Sequence, residues 1–131
     1  MDVIANMLNT IKNGGIAGKE SVLIPFSNYK TAVAKALLDA GYIAGYQKRD
    51  RIRGAQLLEV TLAYVAQTGK SKITSVKRIS KPSRRMYMSA KSIRPVKNGF
   101  GHLFVSTPKG ILTGQQAYKE HVGGELLFEI S

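Results

Sequence analysis

The apolar positions of this chain change their spacing along its 131 residues, and each change marks a different kind of element. Val3, Ile4, Met7, Leu8 and Ile11 recur at three- and four-residue steps, the period of one helix face. Asp2 is placed to cap that helix and Asn13-Gly14-Gly15 to end it. Ser21–Pro25 reads as a short strand closed by proline. Ser27 then predicts the N-cap of a second helix, with Ala32, Val33, Ala36, Leu37 and Ala40 on its buried face. Gly41 supplies the left-handed residue that stops it. Two strands follow, Tyr42–Lys48 and Gln56–Tyr64, joined by a charged turn from Arg49 to Gly54. Residues 1–66 are therefore expected to form an α-β-α-β-β lobe.

Gln67-Thr68-Gly69-Lys70-Ser71 is a polar connection, and beyond it the pattern turns to short strands: Ile73–Arg78, Arg85–Met88, Leu103–Ser106 and Glu125–Ile130. Asn98-Gly99 signals a turn. Thr113-Gly114-Gln115-Gln116 has the form of a capping box opening a helix of one or two turns, which Gly123 would end. No internal repeat or low-complexity stretch interrupts the pattern. The expected class is α+β, an N-terminal lobe (1–66) packed against a mostly β C-terminal lobe (67–131) with a short helix.

Charge sharpens this picture. From Val60 to Lys119 the chain carries twelve lysines and arginines and no aspartate or glutamate. Of the formal charge of +12, residues 67–131 contribute +9 from twelve basic and three acidic groups. A solvated helix face usually alternates its charges to limit self-repulsion, so a folded surface this one-sided selects a polyanion, for which nucleic acid is the first expectation. With 44% hydrophobic residues, the chain can bury roughly two-thirds of its unfolded surface. The absence of cysteine excludes disulfides, thiol catalysis and thiolate-bound zinc. No apolar run approaches a membrane span, and no basic amphipathic helix has a large apolar face, so no membrane partner is expected. The start of the chain reads as neither a secretory signal nor a transit peptide, which suggests the cytoplasm or an organelle that makes the protein itself.

Three constellations could carry chemistry. Ser106-Thr107-Pro108-Lys109-Gly110 follows an apolar strand and gathers two hydroxyls, a cation and a glycine, a set suited to sugar hydroxyls, phosphates and base edges. The same residues would also serve as a β-turn whose hydroxyls satisfy local backbone groups. Lys77, Arg78, Lys81, Arg84 and Arg85 precede Tyr87, placing phosphate anchors beside a stacking plane; Tyr87 also fits a half-buried strand position. Gly123-Gly124-Glu125 reads as a tight turn or bulge whose Glu125 accepts either from a base edge or sugar or from a neighbouring lysine.

Enzymatic readings fare poorly. Gly69-Lys70-Ser71 resembles the end of a phosphate-binding loop, but Tyr64 stands where its first glycine belongs. Ser106 lacks the glycines of a nucleophile elbow, and His102 and His121 are too few for a metal site without several carboxylates. No cofactor and no small-molecule substrate are implied. Two other classes stay open, a general nucleic-acid-binding protein acting by charge and a nuclease, the latter opposed by the shortage of acids and histidines.

Taken in order, the motifs resemble the bacterial-type small-subunit ribosomal protein eight family. They are Asp-x-Ile-Ala-x-Met-Leu (Asp2–Leu8) with Ile11 and Asn13, Lys-Arg-x-Ser-Lys-Pro-x-Arg-Arg (Lys77–Arg85), Asn-Gly-x-Gly (Asn98–Gly101), Ser-Thr-x-Lys-Gly (Ser106–Gly110) and Gly-Gly-Glu-Leu-Leu (Gly123–Leu127). The resemblance runs from Asp2 to Ile130 and implies a two-lobed protein that binds an irregular helix in the central domain of small-subunit ribosomal RNA and helps that domain assemble. It further implies neighbouring small-subunit ribosomal proteins as partners and, in bacteria, binding to the protein's own operon messenger RNA. RNA contacts carried over by motif fall on Ser106, Thr107, Lys109 and Gly110, with Tyr87 and Glu125 nearby. Pro108 stands where a further serine is usual, which removes one hydroxyl contact. Ser83 replaces a usual glycine and Gly114 a usual aspartate, while Val3, Asn6 and Thr10 replace the common proline, aspartate and arginine of the first helix.

Overall fold

Burial of one stripe holds the first helix, α1 (Val3–Ile16), on its sheet: Ile4, Met7, Leu8 and Ile11 are each no more than 4% exposed. The computed structural model describes residues 3–52, 54–81, 83–89 and 102–131, so the expected cap at Asp2 and turn at Asn98-Gly99 lie outside the described residues. Val3, expected on the buried stripe, is instead 48% exposed at the helix start. The helix also runs through the glycines expected to stop it. A Cβ on Gly14 would lie 2.5 Å from Val22 Cγ1, and one on Gly15 would lie 2.4 Å from Ser71 Oγ. These glycines serve close approach rather than termination, and packing outweighs the roughly 1 kcal/mol that glycine costs inside a helix.

Strand β1 (Ser21–Pro25) matches its expected bounds. Ser27 caps α2 (Asn28–Asp39) by accepting from the Lys30 N–H at 3.0 Å. At the other end Gly41 takes φ +85°, and two bonds close the helix, Gly41 N–H to Leu38 O and Tyr42 N–H to Leu37 O. That pair of bonds is the Schellman arrangement, which needs a left-handed residue at this position. The buried face is Val33, Ala34, Ala36 and Leu37; Ala32 is exposed and Ala40 half-buried, because the stripe in contact centres on Val33–Leu37 rather than spanning the whole apolar row. Strand β2 (Ile43–Ile52) continues past Lys48, so much of the expected charged turn is ladder, and Arg49 bonds Glu59 across to β3 (Ala55–Leu62) at 3.1 Å. The order is β1-β3-β2, all antiparallel, with α1 against β1 and β3 and α2 against β2.

Backbone contacts divide the chain into two units, Val3–Thr74 and residues 75–131. The polar Gln67–Ser71 connection is a closed loop of the first unit, with Val65 N–H donating to Lys70 O and Tyr64 bridged to Ser71.

In the second unit β4 (Val76–Arg78) and β5 (Tyr87–Met88) lie along one edge of β8 (Gly124–Ile130). β6 (His102–Thr107) pairs with the other edge and β7 (Gly110–Thr113) with β6. Phe104 pairs with Phe128 while Val105 pairs with Leu126, so Leu127 is an extra residue on β8. This bulge explains three consecutive buried residues, Leu126 to Phe128, in a strand whose faces should alternate. The stacked Phe104 and Phe128 rings have centroids 4.8 Å apart. Helix α3 (Gly114–Glu120) sets Ala117 among Val105, Leu126, Leu112 and Met86. Its capping box forms as expected: Thr113 accepts from Gln116 N–H while the Gln116 side chain accepts from Thr113 N–H. It ends earlier than expected, at His121 in the left-handed conformation (φ 57°), not at Gly123. No described helix is long and apolar enough to cross a membrane.

Candidate nucleic-acid interface

The hairpin between β6 and β7 is built by its own side chains. Thr107 pairs with Gly110, leaving Pro108 and Lys109 as a two-residue turn. Thr107 Oγ1 donates to Gly110 O at 2.7 Å and accepts from Lys109 N–H at 3.1 Å. The threonine hydroxyl thus pins the turn from inside, the local role left open by the sequence. Gly110 holds φ +113°, a backbone conformation that residues with a Cβ rarely adopt. Pro108, Lys109 and Gly110 are exposed at the tip. The Lys109 ammonium meets Glu120 Oε2 at 2.9 Å, and this hydrogen bond, with the lysine's charge, holds the Glu120 carboxyl below its ordinary pKa.

Register decides what stands beside the hairpin. Residues directly opposite on antiparallel strands share a face. Tyr87 pairs with Glu125, and Glu125 pairs with Ser106, so the three form one row across β5, β8 and β6. Tyr87 is 68% exposed, and Ser106 is half-buried with no hydrogen-bond partner for its hydroxyl among the described residues. Arg85 reaches the same row, its Nη1 3.1 Å from Glu125 Oε2. Glu125 therefore pairs with an arginine, where the sequence had suggested a lysine. Gly124, next to it, sits where a Cβ would lie 1.9 Å from the Ser106 carbonyl oxygen, so its side of the row admits no side chain.

The basic stretch occupies the β8 edge. Lys77 lies exposed on β4 opposite Glu129, while Arg78 is half-buried and its guanidinium donates to Leu127 O. Between β4 and β5 the chain makes a tight turn in which Lys81 and Arg84 exchange both backbone hydrogen bonds at 2.9 Å, setting both exposed cations at its base. Ser80 anchors this loop. Fully buried, its hydroxyl accepts from Met86 N–H at 2.8 Å and donates to Met86 O at 3.2 Å.

The structure thus joins Ser106, Tyr87, Glu125, Gly124 and Arg85 in one neighbourhood and aligns Lys77, Arg78, Lys81 and Arg84 along the adjoining edge. Two positioning residues escaped the sequence reading. Ser80 is a named position of the Lys77–Arg85 motif, but nothing in the local pattern marked its hydroxyl as an anchor, because its partner Met86 lies six residues on. Glu120 did, because it is the acid that ends the sixty-residue acid-free run. Among the described residues no three histidines or carboxylates gather as a metal site would require.

Comparison with known proteins agrees with the motifs. The family model for ribosomal protein S8 matches residues 2–131. The small ribosomal subunit protein uS8 of Ruthia magnifica is 43% identical over 129 residues, covering 98% of this chain and 96% of that one. The uS8 proteins of Azoarcus (44% over 126 residues, 96% and 94% covered) and Agrobacterium fabrum (41% over 129 residues, 98% and 96% covered) are similarly related. With a family match along nearly its whole length and relatives this similar from end to end, the chain belongs to the ribosomal protein S8 family.

Proposed function

We propose that this protein is a structural constituent of the small ribosomal subunit, bound through residues 75–131 to an irregular helix in the central domain of small-subunit ribosomal RNA. Membership in a family of ribosomal proteins makes it a structural component rather than an enzyme. The observation that carries the RNA reading is the row of Tyr87, Glu125 and Ser106 beside a self-pinned hairpin, with cations along the adjoining edge. Lys77, Lys81 and Arg84 neutralise phosphates and release counterions, which gives affinity that falls with salt. A regular RNA helix hides its major groove, so a protein that discriminates must meet a widened segment through hydroxyls, unstacked bases and the minor groove. An exposed tyrosine and a serine hydroxyl without a partner among the described residues fit that task. Neighbouring small-subunit proteins, assembly of the central domain and binding to the operon's own messenger complete the reading.

A gel-shift titration against a fragment carrying the irregular helix, with a perfect duplex of equal length as competitor at two salt concentrations, tests it. Preference for the irregular helix should survive the higher salt. Thr107→Ala, which unpins the turn, should weaken the irregular fragment about two- to tenfold and the duplex less. Equal losses on both RNAs would leave only binding by charge.

A further inference from the structure

The Lys109–Glu120 pair has little to do with stability. Both side chains are about half exposed, 55% and 52%, and exposed pairs of this kind contribute little. Glu120 is also the last residue of α3, where the helix dipole disfavours an acid, and Lys119 beside it already supplies the favoured charge. What the carboxylate does decide is how the hairpin tip looks to a polyanion. A phosphate approaching Lys109 must either displace Glu120 or sit next to it, and both cost binding energy. The lysine is meanwhile restrained at both ends, its N–H on Thr107 and its ammonium on Glu120. An ammonium has three donors, so the ones not used by Glu120 stay available to a base or sugar acceptor.

We propose that Glu120 is a specificity-determining residue of the RNA-binding hairpin: it converts Lys109 from a mobile phosphate counterion into a positioned donor and so penalises regular duplex RNA. This rests on the RNA-binding reading above. A duplex offers the tip chiefly phosphates, whose attraction Glu120 cancels. An irregular helix adds acceptors on unstacked bases, which Lys109 reaches without leaving its partner.

The test compares Glu120→Gln, Lys109→Ala and the double variant on the irregular fragment and the perfect duplex across a salt series. Glu120→Gln should bind the duplex about two- to fivefold more tightly at low salt. Its log–log salt slope on the duplex should steepen by about 0.9, the mark of one more neutralised phosphate. The irregular fragment should gain less, so discrimination falls. With Lys109 absent, Glu120→Gln should leave the duplex slope unchanged. An unaltered slope in the single variant, or the same steepening without Lys109, overturns the proposal. If wild-type protein prefers neither RNA, the irregular-helix reading fails by itself, and the duplex slope still decides whether Glu120 restrains Lys109.

Discussion

Gly124 shows how much a single missing side chain can hold in place. Its hypothetical Cβ meets backbone on the facing strand, Ser106 O at 1.9 Å and Ser106 C at 2.9 Å, and backbone cannot swing aside as a flexible side chain can. Gly124→Ala must therefore push β6 and β8 apart where Glu125 faces Ser106. Overpacking of this kind costs about 1–3 kcal/mol. Urea unfolding should show a loss in that range, and binding to the irregular RNA should fall further than stability alone explains, because the row of Tyr87, Glu125 and Ser106 is distorted. An alanine variant as stable as wild type would mean the strands yield more easily than their register suggests. In the sequence this glycine could be marked as part of a turn or bulge, but its steric reason depends on a neighbour eighteen positions away in number and was not legible there.

At the scale of elements, local signals held where local chemistry decides and failed where packing decides. Ser27, Gly41 and the Thr113–Gln116 capping box each act through bonds within a few residues, and each was readable. The glycines of α1 and the end of α3 were not. Gly14 and Gly15 answer to Val22 and Ser71 across the unit, and His121 accepts a left-handed backbone that sequence preference assigns to glycine. β7 also went unmarked, since its four residues gain strand character only by pairing with β6. The loop between β4 and β5 is the element where this matters most for binding. Ser80 closes it with two bonds to Met86, and removing the hydroxyl leaves a backbone N–H without that acceptor. Ser80→Ala should cost about 1–3 kcal/mol and speed hydrogen exchange at the Met86 amide. Unchanged exchange there would show that the loop is held by β5 pairing alone.

On the scale of the whole molecule, the candidate site was legible as a set of residues but not as an arrangement. Tyr87, Ser106 and Glu125 come from three separated segments, and only strand register brings them abreast. Register follows from pairing, which a one-residue slip would reverse, and no local pattern announces it. Charge needed no such geometry, because its imbalance is written directly in the chain: +9 of the +12 lies in residues 67–131. That imbalance makes a comparison possible between two lysines that are equal in formal charge. Lys81 stands exposed in the turn between β4 and β5, and Lys35 stands exposed on α2 of the first unit. If phosphates are neutralised by the β8 edge, Lys81→Ala should reduce the log–log salt slope of RNA binding by about 0.9, whereas Lys35→Ala should leave it within error. Both variants lose the same unit of net charge, so a protein acting through its overall field would lose the same affinity from each. Equal slopes in the two variants would move the binding surface away from the β8 edge, and unequal slopes would locate the counterions that RNA displaces.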